Sequence, residues 1–357
     1  MKDNFFVSPS QLEDQHGRSF YLDNAKFFLI FFVVLAHASS PLKASHSSMY
    51  ALWYLLNSFH MPAFIFISGY LSRGYLKKTP TQQVQRVFTY MLLYGAAQLT
   101  VSVFEKLVLH HQFSYSIFYA RSSLWFLVCL IFWYLFLPFL GRFRPSIILP
   151  ASFLLALAVG YDSTVGNDLS FSRVIVHLPF FLMGYFATPR IFDFLKKKWV
   201  KIVSVGIIAG AYIYFLYAKS HGGSFVPSKI ITCNFSYSSC LKAYPTMSWW
   251  CFRLLFYIAA ILLTMSFLSL VPRCKICISH LGARTLAPYL LHRFLYLAYQ
   301  DYGWAALFDS FAGVIILPLF IFAVTILLST KPCYAVFRWL QSIRVDKLVA
   351  SGERKEK

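Results

Sequence analysis

Apolar residues recur along the whole chain in runs that are long enough to cross a lipid bilayer as helices. Only short polar segments separate these runs, so the pattern leaves no room for a soluble domain. It predicts about ten spans, at 27–42, 50–72, 84–104, 124–140, 146–160, 174–188, 200–218, 250–271, 283–298 and 306–329. Four of these spans are short for a bilayer, so we expect some helices to be tilted or broken, or to extend past these bounds.

Composition agrees with the pattern. Of the 357 residues, 58% are hydrophobic and only 13% are charged, and the mean hydropathy is +0.60. A soluble domain of this size would carry about 25% charged residues. We therefore predict an all-α fold, a polytopic integral membrane helical bundle. The membrane domain is expected at 21–330, between an N-terminal tail (1–20) and a C-terminal tail (331–357).

The net charge of +20 is distributed unevenly between the two sides of the predicted bundle. About 24 Lys and Arg residues fall on the side that holds both termini, and about 7 fall on the other side. The positive-inside rule therefore predicts that both termini are cytoplasmic. Most of this charge faces anionic lipid headgroups, with some left for an anionic cosubstrate, and we expect no nucleic-acid partner. The sequence does not predict an oligomeric state.

Three histidines lie near the middle of long apolar runs, at His37, His60 and His292. At about 1.5 Å per residue each would be roughly 15 Å deep in the membrane. An ionisable side chain at that depth is costly and marks a functional site by default. The alternative for His37 is a neutral buried ring bonded to a backbone carbonyl.

The first two spans carry further polar residues. Asp23 and Lys26 lie one helical turn apart at the inner end of the first span, either as a site or as a helix cap with a snorkelling lysine. Pro62 follows His60 closely and predicts a kink beside it. Ser68, with the glycine after it, predicts either a close approach to a ligand or simple helix packing.

Residues suited to binding a sugar open two later spans. Ser123 and Trp125 begin the fourth span, and Arg173 and His177 lie at the start of the sixth. Both starts face outward in the predicted topology. Hydroxyl and guanidinium groups donate hydrogen bonds to sugars, and an aromatic ring offers a stacking face. The alternative is an aromatic belt at the membrane interface.

The cysteines leave a disulfide bond open and argue against a metal site. Cys233 and Cys240 share a long outer loop, where they either form a disulfide or stay free. Cys274, Cys277 and His280 have part of the spacing of a zinc site but lack a fourth ligand, so we expect no metal.

Several motifs occur in a fixed order over roughly 20–330. They are Asp23-Asn24-x-Lys26 with His37, Phe59-His60-Met61-Pro62-x-Phe64-x-Phe66-x-Ser68-Gly69-Tyr70, Leu124-Trp125-Phe126-Leu127, Pro179-Phe180-Phe181-x-x-Gly184-Tyr185, and Gly282 to Tyr289-x-x-His292. This ordered set resembles the membrane acyltransferase-3 family. The chain is most similar to its fucose 4-O-acetylase-like branch, in the stand-alone form without a fused esterase-like domain. Many relatives have arginine at the position of Lys26, and lysine keeps the charge without the planar guanidinium fork.

The resemblance implies an O-acetyltransferase in a bacterial cytoplasmic (inner) membrane. Its donor would be cytoplasmic acetyl-coenzyme A (acetyl-CoA), and its acceptor a glycan or lipid-linked sugar, such as lipopolysaccharide O-antigen or capsule. The expected donor-binding residues lie at the inner side and are Asp23, Lys26, Ser68, Arg73, Arg86 and Arg284, with Lys77 and Lys78 nearby.

The resemblance also implies catalytic roles for the three histidines. His37 would be the general base, or would carry the acetyl group as a relay, and His60 or His292 would orient it or donate to the thioester oxygen. Ser123, Trp125, Arg173 and His177 would bind the acceptor. The main alternative is a transporter or flippase of a lipid-linked or acylated compound, followed by a structural or sensory membrane protein.

Overall fold

The computed structural model describes residues 19–165 and 169–344, and within these ranges the chain is helical with no β-strand. The predicted all-α membrane bundle is confirmed. The helices are α1 Phe20–Ser39, α2 Ser47–Leu71, α3 Pro80–Leu107, α4 Trp125–Leu140, α5 Pro145–Ala158, α6 Phe171–Phe186, α7 Pro189–Leu195, α8 Lys198–Ser220, α9 Ser228–Ile231, α10 Trp249–Leu270, α11 Leu286–Asp301, α12 Phe311–Leu328 and α13 Lys331–Gln341. Residues 1–18 and 345–357 of the two predicted tails lie outside the described residues.

Each predicted span corresponds to one helix, but the helices differ in length. Among the described residues six are long and apolar enough to cross a membrane, namely α1, α2, α3, α8, α10 and α12. The α6–α7 pair, bent by 94°, makes a seventh if it is one broken span. Helices α4, α5 and α11 are shorter than a full span. The chain is thus a multi-pass membrane protein, and the count of ten stays a prediction.

Helix starts are set by capping residues rather than by the apolar runs. The Ser19 side chain accepts a hydrogen bond from the backbone N–H of Leu22, so α1 begins at Phe20, well before the predicted start at residue 27. At α3 a complete capping box joins Thr79 and Gln82. Helix α2 remains helical through Pro62. The predicted short first span is therefore a full-length helix with a polar first turn.

Helix α2 lies at the centre of the bundle, where it contacts α1, α6, α8 and α10. Its crossing with α6 depends on two glycines that face each other's backbone. A Cβ on Gly69 would lie 2.0 Å from the carbonyl oxygen of Phe181, and a Cβ on Gly184 would lie 1.9 Å from that of Phe66. Only glycine allows this approach, so Gly69 serves helix packing, as one of the two sequence interpretations proposed.

The bundle has two ends, which we name by their residues on α1. At the Lys26 end, α1 begins and the loop between α10 and α11 packs against it. Asn24 fixes this loop, because its amide donates to the carbonyl oxygens of Pro272 (2.9 Å) and Cys274 (3.0 Å) and accepts from Ser279 (2.7 Å). At the His37 end, α1 ends and the loop before α10 covers the bundle.

Part of the predicted C-terminal tail is ordered as helix α13, which packs against α3 and α11. Phe337 and Leu340 face the bundle, whereas Val336 and Trp339 are exposed. The predicted C-terminal tail thus begins with an ordered helix, and its cytoplasmic location stays a prediction. The apolar residues are too sparse to read as a span, but their helical spacing allows an amphipathic helix.

Candidate active site

A cavity of about 250 Å³ opens at the His37 end of the bundle. It lies between α1, α2, α6, α11 and the start of α4, and the loop after α9 closes one side. Its lining residues are Val33, Ala36, His37, Ser40, Trp53, Asn57, His60, Met61, Ser123, Trp125, Arg173, His177, Ile231, Thr232, Tyr289 and Tyr296. All four residues that were predicted to bind the acceptor, and two of the three catalytic histidines, are thus brought together from separate parts of the chain.

His37 lies in the last turn of α1, two residues before the helix ends at Ser39. The expectation that it lies near the middle of a span is wrong, because α1 begins at Phe20 and already ends at Ser39 rather than at residue 42. His37 is half-buried and lines the cavity. Its ring centroid lies 5.3 Å from that of His292 and 4.9 Å from that of Tyr296, both on α11. Its reactive ring therefore faces the cavity with a second histidine beside it.

The other predicted catalytic histidines are each held by their own helix. His292 Nδ1 lies 2.8 Å from the carbonyl oxygen of Pro288, and His60 Nδ1 lies 2.6 Å from that of Leu56. A carbonyl only accepts hydrogen bonds, so Nδ1 carries the proton in both rings and Nε2 of the neutral ring is an acceptor. His292 Nε2 is buried and has no partner in the described part of the chain. Its lone pair is available to the neighbouring His37.

The predicted acceptor residues form a stack on one side of the cavity. The guanidinium carbon of Arg173 lies 4.9 Å from the ring centroid of Trp125, and the His177 ring packs against the same tryptophan at 5.1 Å. Trp125 is buried beneath these groups. Much of its ring is therefore covered, so Trp125 supports Arg173, and its role as a sugar-stacking face stays a prediction.

Ser123 and Tyr289 complete this side. The Tyr289 hydroxyl donates to the Ser123 carbonyl oxygen at 2.6 Å, which joins α11 to the start of α4. The Ser123 hydroxyl is buried and has no hydrogen-bond partner among the described residues. It lines the cavity, so it can donate to a bound ligand.

A half-buried lysine lies beside the cavity wall. The Lys43 ammonium lies 4.0 Å from the ring centroid of Trp53, which lines the cavity. Burial lowers the pKa of Lys43 from its ordinary value. Arg121, two residues before the cavity-lining Ser123, is paired with Glu105 and is thus engaged within the protein.

The predicted donor residues lie at the Lys26 end and do not line this cavity. Lys26 Nζ pairs with Asp23 Oδ1 at 2.8 Å, so the carboxylate of Asp23 holds the ammonium of the lysine, and the donor-binding role of both stays a prediction. The Ser68 hydroxyl donates to the Phe64 carbonyl oxygen of its own helix. Arg73 lies over the ring of Tyr70. These side chains share one end of the bundle without forming a single closed site.

Arg86 and Arg284 contact different groups from each other at the Lys26 end. Arg86 lies over the rings of Tyr90 and Tyr134. Arg284 lines an open groove at the Lys26 end together with His280, Thr330 and Lys331. This groove has two cations and no carboxylate among its described lining residues, so it is suited to an anionic ligand.

Some residues of the site were not predicted from the sequence. Tyr296 and Asn57 line the cavity, and Arg253 lies behind it, fully buried, near Cys233. Helical spacing offered one signal, because Tyr296 is one turn after His292 and Asn57 is nearly one turn before His60. Arg253 was visible as a charge inside a span, but no spacing linked it to this site.

The loop cysteines are free thiols in the structure. Cys233 Sγ contacts the carbonyl oxygens of Ile230 and Ile231 at 3.3 Å, and burial raises its thiol pKa. The open question about a Cys233–Cys240 pair is thus answered as unpaired here. Cys274 and Cys277 are exposed at the Lys26 end.

Comparison with curated proteins and with solved structures gives no significant match. A family model described as an acyltransferase domain matches residues 19–330. The match includes α1 to α12 and every residue that lines the cavity. The chain therefore belongs to the acyltransferase-3 family and is a multi-pass membrane acyltransferase.

Proposed function

We propose that this membrane acyltransferase moves an acetyl group from cytoplasmic acetyl-CoA to a hydroxyl of a surface glycan, with His37 as the general base. The observation that carries the proposal is the cavity, which His37 lines together with Ser123, Trp125, Arg173 and His177. The acceptor class is a polysaccharide such as lipopolysaccharide O-antigen or capsule, and the membrane is the bacterial inner membrane. The Lys26 end faces the cytoplasm, because most Lys and Arg residues lie on that side.

The pair of His37 and His292 supports a base at this position. His292 is fixed by its bond to the Pro288 carbonyl oxygen, which leaves Nε2 as an acceptor. A small rotation of the neighbouring rings lets a His37 N–H donate to this nitrogen. The other nitrogen of His37 then accepts a proton in the cavity. His292 is thus a positioning residue that sets the tautomer of His37.

The reaction balances with His37 as a proton carrier. The acceptor hydroxyl oxygen attacks the thioester carbonyl carbon while His37 takes the hydroxyl proton. The carbon–sulfur bond then breaks, and the departing coenzyme A thiolate takes that proton back from His37. The products are the acetyl ester and free coenzyme A, and His37 returns to its neutral form.

Charge on the carbonyl oxygen needs a donor during this step. His60 is held with its proton on the Leu56 side, so the neutral ring has no proton to give to the thioester. The Ser123 hydroxyl lines the cavity without a partner, and the Asn57 amide has a second N–H beyond its bond to Trp53. These two groups are better suited than His60 to stabilise the oxyanion.

The donor enters from the Lys26 end. Lys26 precedes His37 by eleven residues, or about 17 Å along the helix. The coenzyme's phosphates bind cations at this end, with Lys26, Arg73, Arg284 and Lys331 as the candidates, and its extended arm spans the interval to His37. The phosphate groups thus stay in water while the thioester reaches the buried site.

Mass spectrometry of surface glycans tests the proposal. Cells that express the wild-type protein should carry an acetyl increment of about 42 Da on a glycan, and cells that express His37→Ala at an equal level should lose it. An unchanged glycan in wild-type and deletion cells would contradict the proposed acceptor class. Transfer of the acetyl group to His37 from acetyl-CoA alone, detected as a readily hydrolysed acyl-imidazole, would replace direct attack with an acetyl-histidine relay.

A further inference from the structure

We propose that the acceptor carries an anionic oxygen group, a carboxylate or a phosphodiester, and that Arg173 binds this group in the cavity. The inference rests on the proposed function, because it describes the molecule that receives the acyl group. It narrows the acceptor from glycans in general to acidic or phosphate-linked sugars.

The guanidinium of Arg173 is held in place but not fully used by the protein. Its Nε donates to the carbonyl oxygen of Thr232 at 3.1 Å, and its plane lies over Trp125. This is its one hydrogen bond within residues 19–165 and 169–344. Both Nη groups therefore remain to donate into the cavity. A guanidinium fixed at Nε presents a planar fork that matches two oxygens of a carboxylate or phosphate.

No carboxylate among the described residues balances this charge. The cavity lining contains neither Asp nor Glu, and no ion pair in the described ranges includes Arg173. The sequence itself has no acidic residue between Asp193 and Asp301, the stretch that supplies the covering loop, α10 and α11. An unpaired cation in a membrane protein is costly, so an anionic ligand is the expected partner.

A second arginine adds to the positive field from behind the cavity wall. Arg253 is fully buried, and none of its three guanidinium nitrogens makes a hydrogen bond of normal geometry in the described part of the chain. It lies near Cys233, next to the Thr232 carbonyl that holds Arg173. Low polarizability around both groups leaves their charge poorly screened, so an anion in the cavity interacts with both.

Lys43 adds a further positive charge beside the cavity wall. Its ammonium lies 4.0 Å from the ring centroid of the cavity-lining Trp53, and the carboxylate of Glu105 is already paired with Arg121. An anionic acceptor in the cavity thus meets positive charge from Arg173 in the lining and from Lys43 beside Trp53. This positive field favours binding of the charged molecule over a neutral one of the same shape.

The anion also fixes the geometry of transfer. Arg173 and His37 line the same cavity from α6 and α1. An acceptor anchored at Arg173 by its charged group presents its ring toward His37, so only hydroxyls on the far side of the ring reach the base. Arg173 therefore selects both the acceptor and the hydroxyl.

Binding of matched sugar pairs to the purified protein tests the inference without requiring acyl transfer. The probes are glucuronate against glucose, galacturonate against galactose, N-acetylneuraminate against its methyl ester, and methyl glucosyl phosphate diester against methyl glucoside. Dissociation constants come from tryptophan fluorescence or thermal stabilisation. The expected result is that at least one anionic probe binds the wild type about tenfold or more tighter than its neutral partner. The pair that discriminates best separates the carboxylate from the phosphodiester.

Two variants test whether Arg173 causes the preference for the anionic probe. Arg173→Gln should abolish this preference, and Arg173→Lys should keep part of it, since the charge remains but the fork is lost. If Arg173→Gln does not fold, the partial loss in Arg173→Lys carries the test. Equal binding of both members in every pair, or a preference that survives Arg173→Gln, overturns the inference.

Release of free coenzyme A from acetyl-CoA, measured on the same samples, separates this inference from the proposed function. An anion preference without transfer to any glycan would refute the function and leave the anion site standing. Transfer to a neutral glycan with no anion preference would refute the site and leave the function standing.

Discussion

Replacing Gly69 with alanine should force α2 and α6 apart at their closest crossing. The new Cβ would lie 2.0 Å from the Phe181 carbonyl oxygen, where ordinary contact begins at 3.4 Å. The helices must therefore separate by about 1.4 Å, because a backbone oxygen cannot rotate away as a side chain can. Overpacking of this kind costs about 1–3 kcal/mol, and a clash with backbone belongs at the upper end of that range.

The same displacement should reduce activity per folded molecule. Helix α2 carries His60 and Asn57, and α6 carries Arg173 and His177, so separation moves two walls of the cavity. A shift of about 1 Å at a catalytic site can cost about a hundredfold in rate. We therefore expect a lower unfolding temperature together with a drop in turnover of this order.

Thermal unfolding of purified variants in one detergent measures the first effect. The matched control is Gly206→Ala on α8, where a Cβ meets nothing within 4 Å and alanine improves helix propensity. The control should be neutral or slightly stabilising. The double variant of Gly69 and Gly184 should lose less than the sum of the singles, since one clash already opens the crossing. Equal stability of Gly69→Ala and Gly206→Ala would refute this account of the crossing.

Three further outcomes follow from the two ends of the bundle. A membrane-impermeant maleimide should leave Cys274 and Cys277 unlabelled in intact cells and label them after permeabilisation. A cysteine introduced by Lys242→Cys should react in intact and in permeabilised cells. Labelling of Cys274 and Cys277 in intact cells would reverse the predicted orientation. Lys26→Ala should raise the apparent KM for acetyl-CoA by about tenfold with little change in kcat, as measured by coenzyme A release. Trp125→Ala should instead raise the KM for the acceptor, because Arg173 loses its support; the opposite assignment of donor and acceptor effects would show that the two ends are misassigned.

The spans could be predicted from the sequence because burial in a membrane leaves a direct hydrophobic signal. Every predicted span has a helix, yet α1 starts at Phe20 rather than at residue 27. Its polar first turn is buried by the loop that Asn24 binds through Pro272 and Ser279. That burial depends on contacts about 250 residues away in the chain, which local hydrophobicity does not record. His37 lies in the last turn because α1 ends at Ser39, three residues before the predicted end at residue 42.

Part of the candidate site could also be predicted from the sequence, and part of it could not. The types of residue at the His37 end indicated a sugar site, and the structure brings Ser123, Arg173 and His177 into one cavity with His37. The contacts of Arg173 and His177 with the Trp125 ring could not be predicted, because a sequence does not show which ring face another side chain covers. The donor residues share one sign of charge and one end of the bundle, but charge alone does not indicate which of them converge.

The central claim is that His37 removes the acceptor proton during acyl transfer. Acceptor-dependent release of coenzyme A by the purified protein, with the deacetylated surface glycan as acceptor, tests it directly. His37→Ala should lower the rate about a hundredfold to ten-thousandfold while the protein remains folded. His221→Ala, at an exposed ring stacked on Tyr217, is the matched control and should retain the wild-type rate. A folded His37→Ala protein that releases coenzyme A at the wild-type rate would contradict the claim.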